Sequence, residues 1–481
     1  MERYPMNQHT DNNSILRLTS DKDIDAIVSR LRATFKSGKT RPLTWRLSQL
    51  KAMLAMLNEN GKEFIQALED DTGRPSFEAW TGDLMCAVNE ITSMLKGVKK
   101  WMKPRRLKTP LEFFPSRAYS WPDPLGVTLL LAPWNYPLEL ILNPLAGAVS
   151  GGNCAICKPS EIAPQTSTLL AKYIPKYLDT DAIAVVEGGV PETTTLLTYP
   201  FDHIFYTGNG KVGKIILKAA AEYLTPVTLE LGGKSPCIVT RKANLDVSVN
   251  RLCFGKFYNA GQTCVAPDYI LVEKVIEEEF LEKVRQTIIL FYNNDPKNNP
   301  DFGHIVNEHH FKRLEALLQG QKFFIGGEMD IDRLYIAPTV IRDVQPDNAL
   351  MEDEIFGPIM PVLSVADLDE AIEFCNERPK PLALSLFSQS KKELREILTR
   401  TTAGGVDVNT ALLHSGSPHI PFGGVGASGM GTYHGAETFN TFSHLKSVLQ
   451  QGTWTELLSQ MALPPYSKFK WYIARKVSGV K

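Results

Sequence analysis

His203-Ile-Phe-Tyr-Thr-Gly208-Asn-Gly-Lys-Val-Gly213 joins a short apolar run to a glycine-rich turn, and Lys214 to Glu222 follow with helical character. Glycines at such a turn let backbone N–H groups and a helix N-terminus approach a pyrophosphate. Three further apolar runs, Val127 to Leu131, Cys154 to Cys157 and Val227 to Leu231, also give way to Gly or Pro. Each suits a buried strand followed by a loop and a helix, and their alternation predicts an α/β protein with a parallel sheet. Glu230 lies about twenty residues beyond the glycines, where a conventional dinucleotide fold carries its ribose-binding acid.

Outward from this centre, Leu47, Leu50, Met53, Leu54 and Leu57 recur at helical spacing within 43–70, as do Phe280, Leu281, Val284 and Ile288. Both stretches read as core-facing helices. Residues 103–125 carry prolines among aromatics, which predicts an extended connector at a sheet edge or between units. NNDPKNNPD at 293–301 reads as a polar loop. At about 100–200 residues per domain, the chain holds two to four units.

The 481 residues balance 52 Lys+Arg against 53 Asp+Glu, a net charge of -1, so no global field draws nucleic acid or an anionic membrane. Hydrophobic residues at 43% and charged residues at 22% exclude a disordered or fibrous chain. Met1 to Ser20 is polar, carries Glu2 and Asp11, and has the pattern of neither a secretory nor a transit peptide. No apolar run approaches the roughly 18 residues of a membrane span. Seven scattered cysteines argue for reduced thiols rather than a disulfide framework. The expectation is a cytoplasmic protein.

Cys264 differs from the other six cysteines, because Asn259-Ala-Gly-Gln-Thr-Cys264-Val-Ala-Pro-Asp268 surrounds it with small and polar residues. That context exposes backbone around sulfur, as a nucleophile requires. Cys154-Ala-Ile-Cys157 has the spacing of half a zinc site, but no second pair follows and a strand would turn the two sulfurs to opposite faces, so no metal is expected. His414, His419, His434 and His444 fit no ligand spacing and read as loop or surface residues. After Glu456 the chain has no acid, while Lys468, Lys470, Arg475, Lys476 and Lys481 interleave with Tyr466, Phe469, Trp471 and Tyr472.

Six motifs occur in the order found in aldehyde dehydrogenases: Ala132-Pro-Trp134-Asn135-Tyr-Pro137, Lys158-Pro-Ser-Glu161, Leu229-Glu230-Leu231-Gly-Gly-Lys-Ser-Pro236, Gly261-Gln-Thr-Cys264, Glu354-Ile-Phe356-Gly-Pro358 and Pro421-Phe-Gly-Gly-Val-Gly-Ala-Ser-Gly429. The chain resembles that family over nearly its whole length. Tyr206-Thr-Gly, Lys256-Phe, Val265-Ala-Pro-Asp-Tyr269, Tyr433-His-Gly435, Thr441-Phe-Ser-His444 and Pro464-Pro-Tyr-Ser467 are similar to the class 3 branch, which includes fatty aldehyde dehydrogenases.

The resemblance implies an α/β aldehyde dehydrogenase fold: a Rossmann-like cofactor domain (1–104 and 126–232), a catalytic domain (233–415), a small β bridging element (105–125 and 416–452) that pairs subunits into a homodimer, and a tail (453–481). It implies that the Cys264 thiolate attacks the aldehyde carbon, with the oxyanion held by the Asn135 amide and the Cys264 N–H. Loss of hydride would leave a thioester, and Glu230 would activate the hydrolytic water, a role that displaces the ribose reading of its spacing. Lys158 and Glu161 would bind the adenosine ribose, Glu354 and Phe356 the nicotinamide ribose, and Gly208 and Gly213 would flank the pyrophosphate. Trp134 and Leu231 complete the implied cofactor contacts. Gly210 departs from the family, which usually has Ser or Thr there, and so puts cofactor affinity in question.

Glu161 would repel a 2′-phosphate, so the implied cofactor is NAD, with NADP accepted. The implied reaction oxidises a medium- or long-chain aliphatic aldehyde to the acid, with a long conjugated aldehyde such as an apocarotenal as an alternative. Acyl transfer to coenzyme A is opposed by Glu230. A non-catalytic protein reusing the fold would predict a damaged site, whereas Cys264, Glu230, Asn135, Lys158 and Glu354 are all present. The tail suggests peripheral membrane contact through 453–481, and nothing else suggests nucleic acid.

Overall fold

Five short apolar strands lie parallel in one sheet, in the spatial order Val227–Leu231, His203–Gly208, Val127–Leu131, Cys154–Lys158, Ile183–Val185, and Gly429–Met430 closes the first edge antiparallel. This computed structural model describes residues 16–110, 113, 115–453, 460–461 and 463–478. The stretch holding Glu2 and Asp11, and Lys481, lie outside them. Val127–Leu131 and Cys154–Lys158 are buried at every position, because helices cover both faces of a parallel sheet and leave no polar alternation to read. The chain leaves Val127–Leu131 toward one side and returns to its other side at His203–Gly208. That reversal opens a crevice at the carboxyl ends of the strands.

The first core gathers Leu50, Met53, Leu57 and Phe64 of the helix Leu43–Thr72 with Ile91 and Met94 of Met85–Trp101. Glu139–Gly151 is buried throughout and runs between that layer and the C-terminal segment. Gly147 permits this: a Cβ there would lie 2.3 Å from Thr438 and 2.6 Å from Phe442.

A seven-stranded sheet builds the second core, in the order Phe323–Ile325, Thr339–Ile341, Ile359–Val365, Tyr269–Glu273, Pro236–Val239, Ala383–Phe387, Gly405–Val408. All its pairings are parallel except that of Phe323–Ile325. The second expected helix spans Glu277–Tyr292 and buries Phe280, Leu281, Val284 and Ile288 against this sheet.

Residues 103–125 are more than a connector. Arg117–Pro124 is the middle strand of a three-stranded antiparallel sheet, flanked by Arg105–Leu107 and Ser443–Gln450. Its prolines are compatible with that place because Arg105–Leu107 pairs only with Ala118 to Ser120, leaving one side of the strand free at Pro122 and Pro124. Two late histidines also differ from expectation. His414 and His434 are buried, with Nδ1 against Asp407 Oδ2 at 2.8 Å and against Glu90 Oε2 at 3.3 Å, so carboxylate partners replace water.

One buried side chain ties three segments together. Asn153 Oδ1 accepts from the Leu125 and Gly126 N–H groups at 2.7 and 2.9 Å, and its amide donates to Ala148 and Phe442 carbonyls at 3.2 and 2.8 Å. Asn153→Ala should cost about 2–4 kcal/mol by stranding these backbone groups. A thermal unfolding midpoint unchanged from wild type would contradict it.

Candidate active site

The crevice receives one contribution from each of four adjacent strand ends. Beyond Leu131 come Trp134 and Asn135, beyond Lys158 comes Glu161, beyond Gly208 a helix begins, and Glu230 and Leu231 end the fourth strand. Asn209 caps the helix Gly210–Ala221 by accepting the Val212 N–H at 2.9 Å. A Cβ at Gly208 would lie 2.2 Å from the Tyr206 hydroxyl, and one at Gly213 would lie 3.0 Å from Leu231, whereas Gly210 faces open space. Close packing therefore demands only the outer two glycines of the turn, and the helix N-terminus stays open to an anion. Lys158 Nζ pairs with Glu161 Oε2 at 2.7 Å, and Gly189 leaves room beside Glu161. An open helix N-terminus flanked by a ribose-sized acid and base fits a dinucleotide.

The cysteine arrives on an unusual backbone. After the helix Leu245–Phe257, Asn259, Ala260 and Gly261 are all left-handed, with φ of 53°, 49° and 74°. Two of the three are not glycine, so surrounding bonds must hold them there. The Asn259 N–H donates to Glu78 Oε2 at 2.7 Å, and the Gln262 amide donates to the carbonyls of Asn259 and His304 at 3.0 and 2.9 Å. At Gly261 a Cβ would lie 2.3 Å from the Gly357 carbonyl oxygen, which brings the Glu354–Gly357 segment against the loop.

The Asn135 loop is bonded to the same turn. Asn135 Nδ2 donates to the Gln262 carbonyl at 3.1 Å, Asn259 Nδ2 donates to the Asn135 carbonyl at 3.2 Å, and the hydroxyls of Tyr136 and Thr263 meet at 2.6 Å. An amide carries two N–H bonds, so Asn135 keeps a second donor for a ligand.

Three carboxyls surround the partly exposed Cys264. Burial pushes its thiol well above the usual cysteine range, and the nearby Glu354, Glu230 and Glu139 push it further. Glu230 is 2% exposed, and burial raises its own carboxyl well above the carboxylate range. Its two oxygens accept no well-formed hydrogen bond among the described residues, and only the Gly424 N–H favours its charged form. Glu354 is pushed up to about 8 by burial and by Asp268. It fills the space beside Gly232, where a Cβ would lie 2.1 Å from its carboxyl. Burial lowers the Lys256 ammonium to about 8. Burial thus favours the protonated forms of the thiol and of these carboxyls.

The fold thus brings Cys264, Glu230, Glu354 and Asn135 into one group. Trp134 meets Phe356 edge-on, centroids 5.4 Å apart, beside it. Lys158 and Glu161 pair with each other at a neighbouring strand end, and Gly208 and Gly213 lie at the next. Sequence reasoning missed Glu78, Asp83, Glu139 and the bonding of Asn259 and Gln262. Glu139 carried a signal, as one acid inside the apolar run Leu138 to Leu142.

The aldehyde dehydrogenase family model matches residues 4–448. Aldehyde dehydrogenase family 3 member A2 of Mus musculus is 47% identical over 92% of this chain and 92% of its own. The dimeric NADP-preferring aldehyde dehydrogenase of the same species is 44% identical over 92% and 98%. A substrate-bound aldehyde dehydrogenase structure from Staphylococcus aureus superposes with a TM-score of 0.91 at 42% identity, covering 94% of this chain and 99% of that one. The chain belongs to the aldehyde dehydrogenase family. It is an oxidoreductase that oxidises aldehydes with NAD or NADP, which leaves the non-catalytic alternative without support.

Because burial and the neighbouring carboxyls favour the thiol form of Cys264, its alkylation by iodoacetamide in cofactor-free protein should climb about tenfold per pH unit to beyond pH ~9. Mass spectrometry of the labelled peptide measures it. A plateau below pH ~7.5 would show a thiolate already formed.

Proposed function

We propose that this enzyme oxidises medium- or long-chain aliphatic aldehydes with Cys264 as nucleophile, Asn135 and the Cys264 N–H as oxyanion donors, and Glu230 as the base for deacylation. The observation that carries the reading is the convergence of a partly exposed thiol, an amide with a spare donor and a buried carboxyl without a well-formed hydrogen bond. Proton loss gives the thiolate, which adds to the carbonyl carbon, and the two donors take the developing oxyanion. Fixed donors of this type contribute about 3–4 kcal/mol each. Bound NAD or NADP supplies the acceptor for one hydride. Glu230, after yielding its own proton to solvent, takes one from the water that attacks the acyl-cysteine and returns it to the departing sulfur, releasing the acid and restoring the thiol. A base held in low dielectric, with the Gly424 N–H as its one stabilising donor among the described residues, suits that task.

Lys158 and Glu161 would bind the adenosine ribose, Glu354 and Phe356 the nicotinamide ribose, and Trp134, Gly208, Gly213 and Leu231 would shape the rest of the cofactor site. The negative charge of Glu161 favours NAD over NADP. The division into cofactor and catalytic domains is supported by two separate hydrophobic cores, and the bridging element by its own three-stranded sheet. A homodimer through the three-stranded sheet is supported by its exposed Trp121, Leu445 and Leu449 and by the word dimeric in a relative's name.

Substrate length rests on the tail. No described helix is long and apolar enough to cross a membrane. The helix Lys468–Ser478, however, leaves Phe469 and Trp471 65% and 62% exposed beside Lys468, Lys470 and Lys476. Aromatics flanked by cations suit the surface of an anionic bilayer, where long aldehydes dissolve.

Reduced-nicotinamide absorbance with a series of straight-chain aldehydes should show turnover that improves with chain length, a higher kcat/KM with NAD than NADP, and no turnover for Cys264→Ser. Turnover surviving in Cys264→Ser removes the nucleophile, and equal efficiency with both cofactors removes the preference. Truncation after Gly452 should abolish sedimentation with anionic liposomes. Unchanged sedimentation would discard the membrane contact.

A further inference from the structure

Between the first two core helices runs a short segment whose side chains reach both loops of the catalytic centre. Ser76–Ala79 makes one helical turn, and Trp80–Leu84 continues it as a wider turn in which the Met85 N–H bonds the Trp80 carbonyl. In an α-helix two residues five apart diverge by about 140°. The wider turn brings Glu78 and Asp83 back toward one face, and turns of this kind recur at functional sites.

Each carboxylate takes backbone N–H groups of a different catalytic loop. Glu78 Oε2 accepts the Asn259 N–H at 2.7 Å, the first residue of the left-handed run that leads to Cys264. The Glu78 carbonyl also accepts from the Tyr258 hydroxyl at 2.9 Å, and that hydroxyl meets Thr81 Oγ1 at 2.7 Å. Asp83 Oδ1 accepts the N–H groups of Leu138 and Glu139 at 3.1 and 2.7 Å, which fixes the far end of the Asn135 loop. Asp83 is itself bonded by the buried Arg74 guanidinium, which lies over the Tyr136 ring at 4.8 Å.

We propose that Glu78 is a positioning residue: by accepting the Asn259 N–H it holds the left-handed run Asn259–Gly261, and so sets Cys264 against Asn135, whose own loop Asp83 fixes from the same segment. The inference rests on the roles given above to Cys264 and Asn135. Glu78 touches no reacting atom. Its action is to keep two non-glycine residues in a backbone conformation they would otherwise leave, and any release shifts the cysteine relative to its amide partner. Small misplacements of this sort reduce the chemical step far more than substrate binding.

The test uses full-length enzyme carrying Glu78→Gln, Glu78→Asp and Glu78→Leu. Gln keeps an acceptor at the same reach, Asp keeps the charge but withdraws it by one methylene, and Leu removes the acceptor. We expect kcat at saturating aldehyde and NAD to fall about tenfold or more for Glu78→Asp and Glu78→Leu, with both KM values within about twofold, and Glu78→Gln to stay within about threefold of wild type. Should Glu78→Leu fail to fold, Glu78→Asp carries the comparison. Wild-type kcat in Glu78→Asp, a loss in Glu78→Gln equal to that in Glu78→Leu, or KM values that rise in step with the fall in kcat would each overturn the proposal.

A second readout separates this idea from the functional reading. Iodoacetamide should label Cys264 several-fold faster in Glu78→Asp than in wild type or Glu78→Gln, because a freed loop exposes sulfur. Equal labelling rates would overturn the positioning role. Absence of Cys264-dependent turnover in wild type would instead overturn the functional reading, and the labelling comparison would still decide the role of Glu78.

Discussion

Arg74 and Asp83 form an ion pair whose side chains are completely buried, and much of the site depends on it. Withdrawing two charges from water costs several kcal/mol per ion, and only a full set of bonds offsets that. Asp83 obtains its set from the Arg74 guanidinium and from the N–H groups of Leu138 and Glu139. The bonds that satisfy the charge are therefore the bonds that anchor the entry to Glu139–Gly151. Arg74 follows the left-handed Gly73 that ends the helix Leu43–Thr72, so the rigidity of the first helical layer is transmitted directly to the crevice. Tyr136 packs under the guanidinium and passes that constraint to Thr263, the neighbour of the cysteine.

Charge within the site is arranged by exclusion of water rather than by pairing. Burial is the largest cause for Cys264, Glu230 and Glu354 alike, and the carboxyls raise the thiol further. The buried ammonium of Lys256 moves the opposite way for the same reason. In such a site burial favours the uncharged form of each acid. The site holds latent negative charge that appears only when something makes ionisation favourable, which is how a nucleophile can be kept inert to solvent oxidants and adventitious electrophiles.

Much of the parallel sheet was legible because its strands are fully buried and end at Gly or Pro, which leaves uninterrupted apolar runs. The cysteine was legible because Asn259 to Thr263 offers it no apolar neighbour. The segment from Arg74 to Asp83 was not, since in sequence it is an ordinary polar helix start, and the partners of Glu78 and Asp83 lie in the distant loops at 258–259 and 138–139. Arg117–Pro124 reads as an edge for a similar reason. The strand that makes it central lies far along the chain, with Lys446 bonded to Asp123 across 323 positions. His414 and His434 were misread as surface residues because the carboxylates that satisfy them come from a strand, at Asp407, and from a helix 344 positions away, at Glu90.

Gly429–Met430 completes the sheet that Val127 begins, and Tyr433, Phe439 and Phe442 belong to the same core as the first helices. On a ribosome this has a cost in time. Most of the chain has been synthesised before the segment that covers Glu230 and fills the space beside Gly147 emerges. Until then the N-terminal layers carry an open apolar face and an unpaired strand edge, the features that invite aggregation in large proteins. The first half of this enzyme is thus no detachable module, since its sheet and core are completed only by residues 429–442.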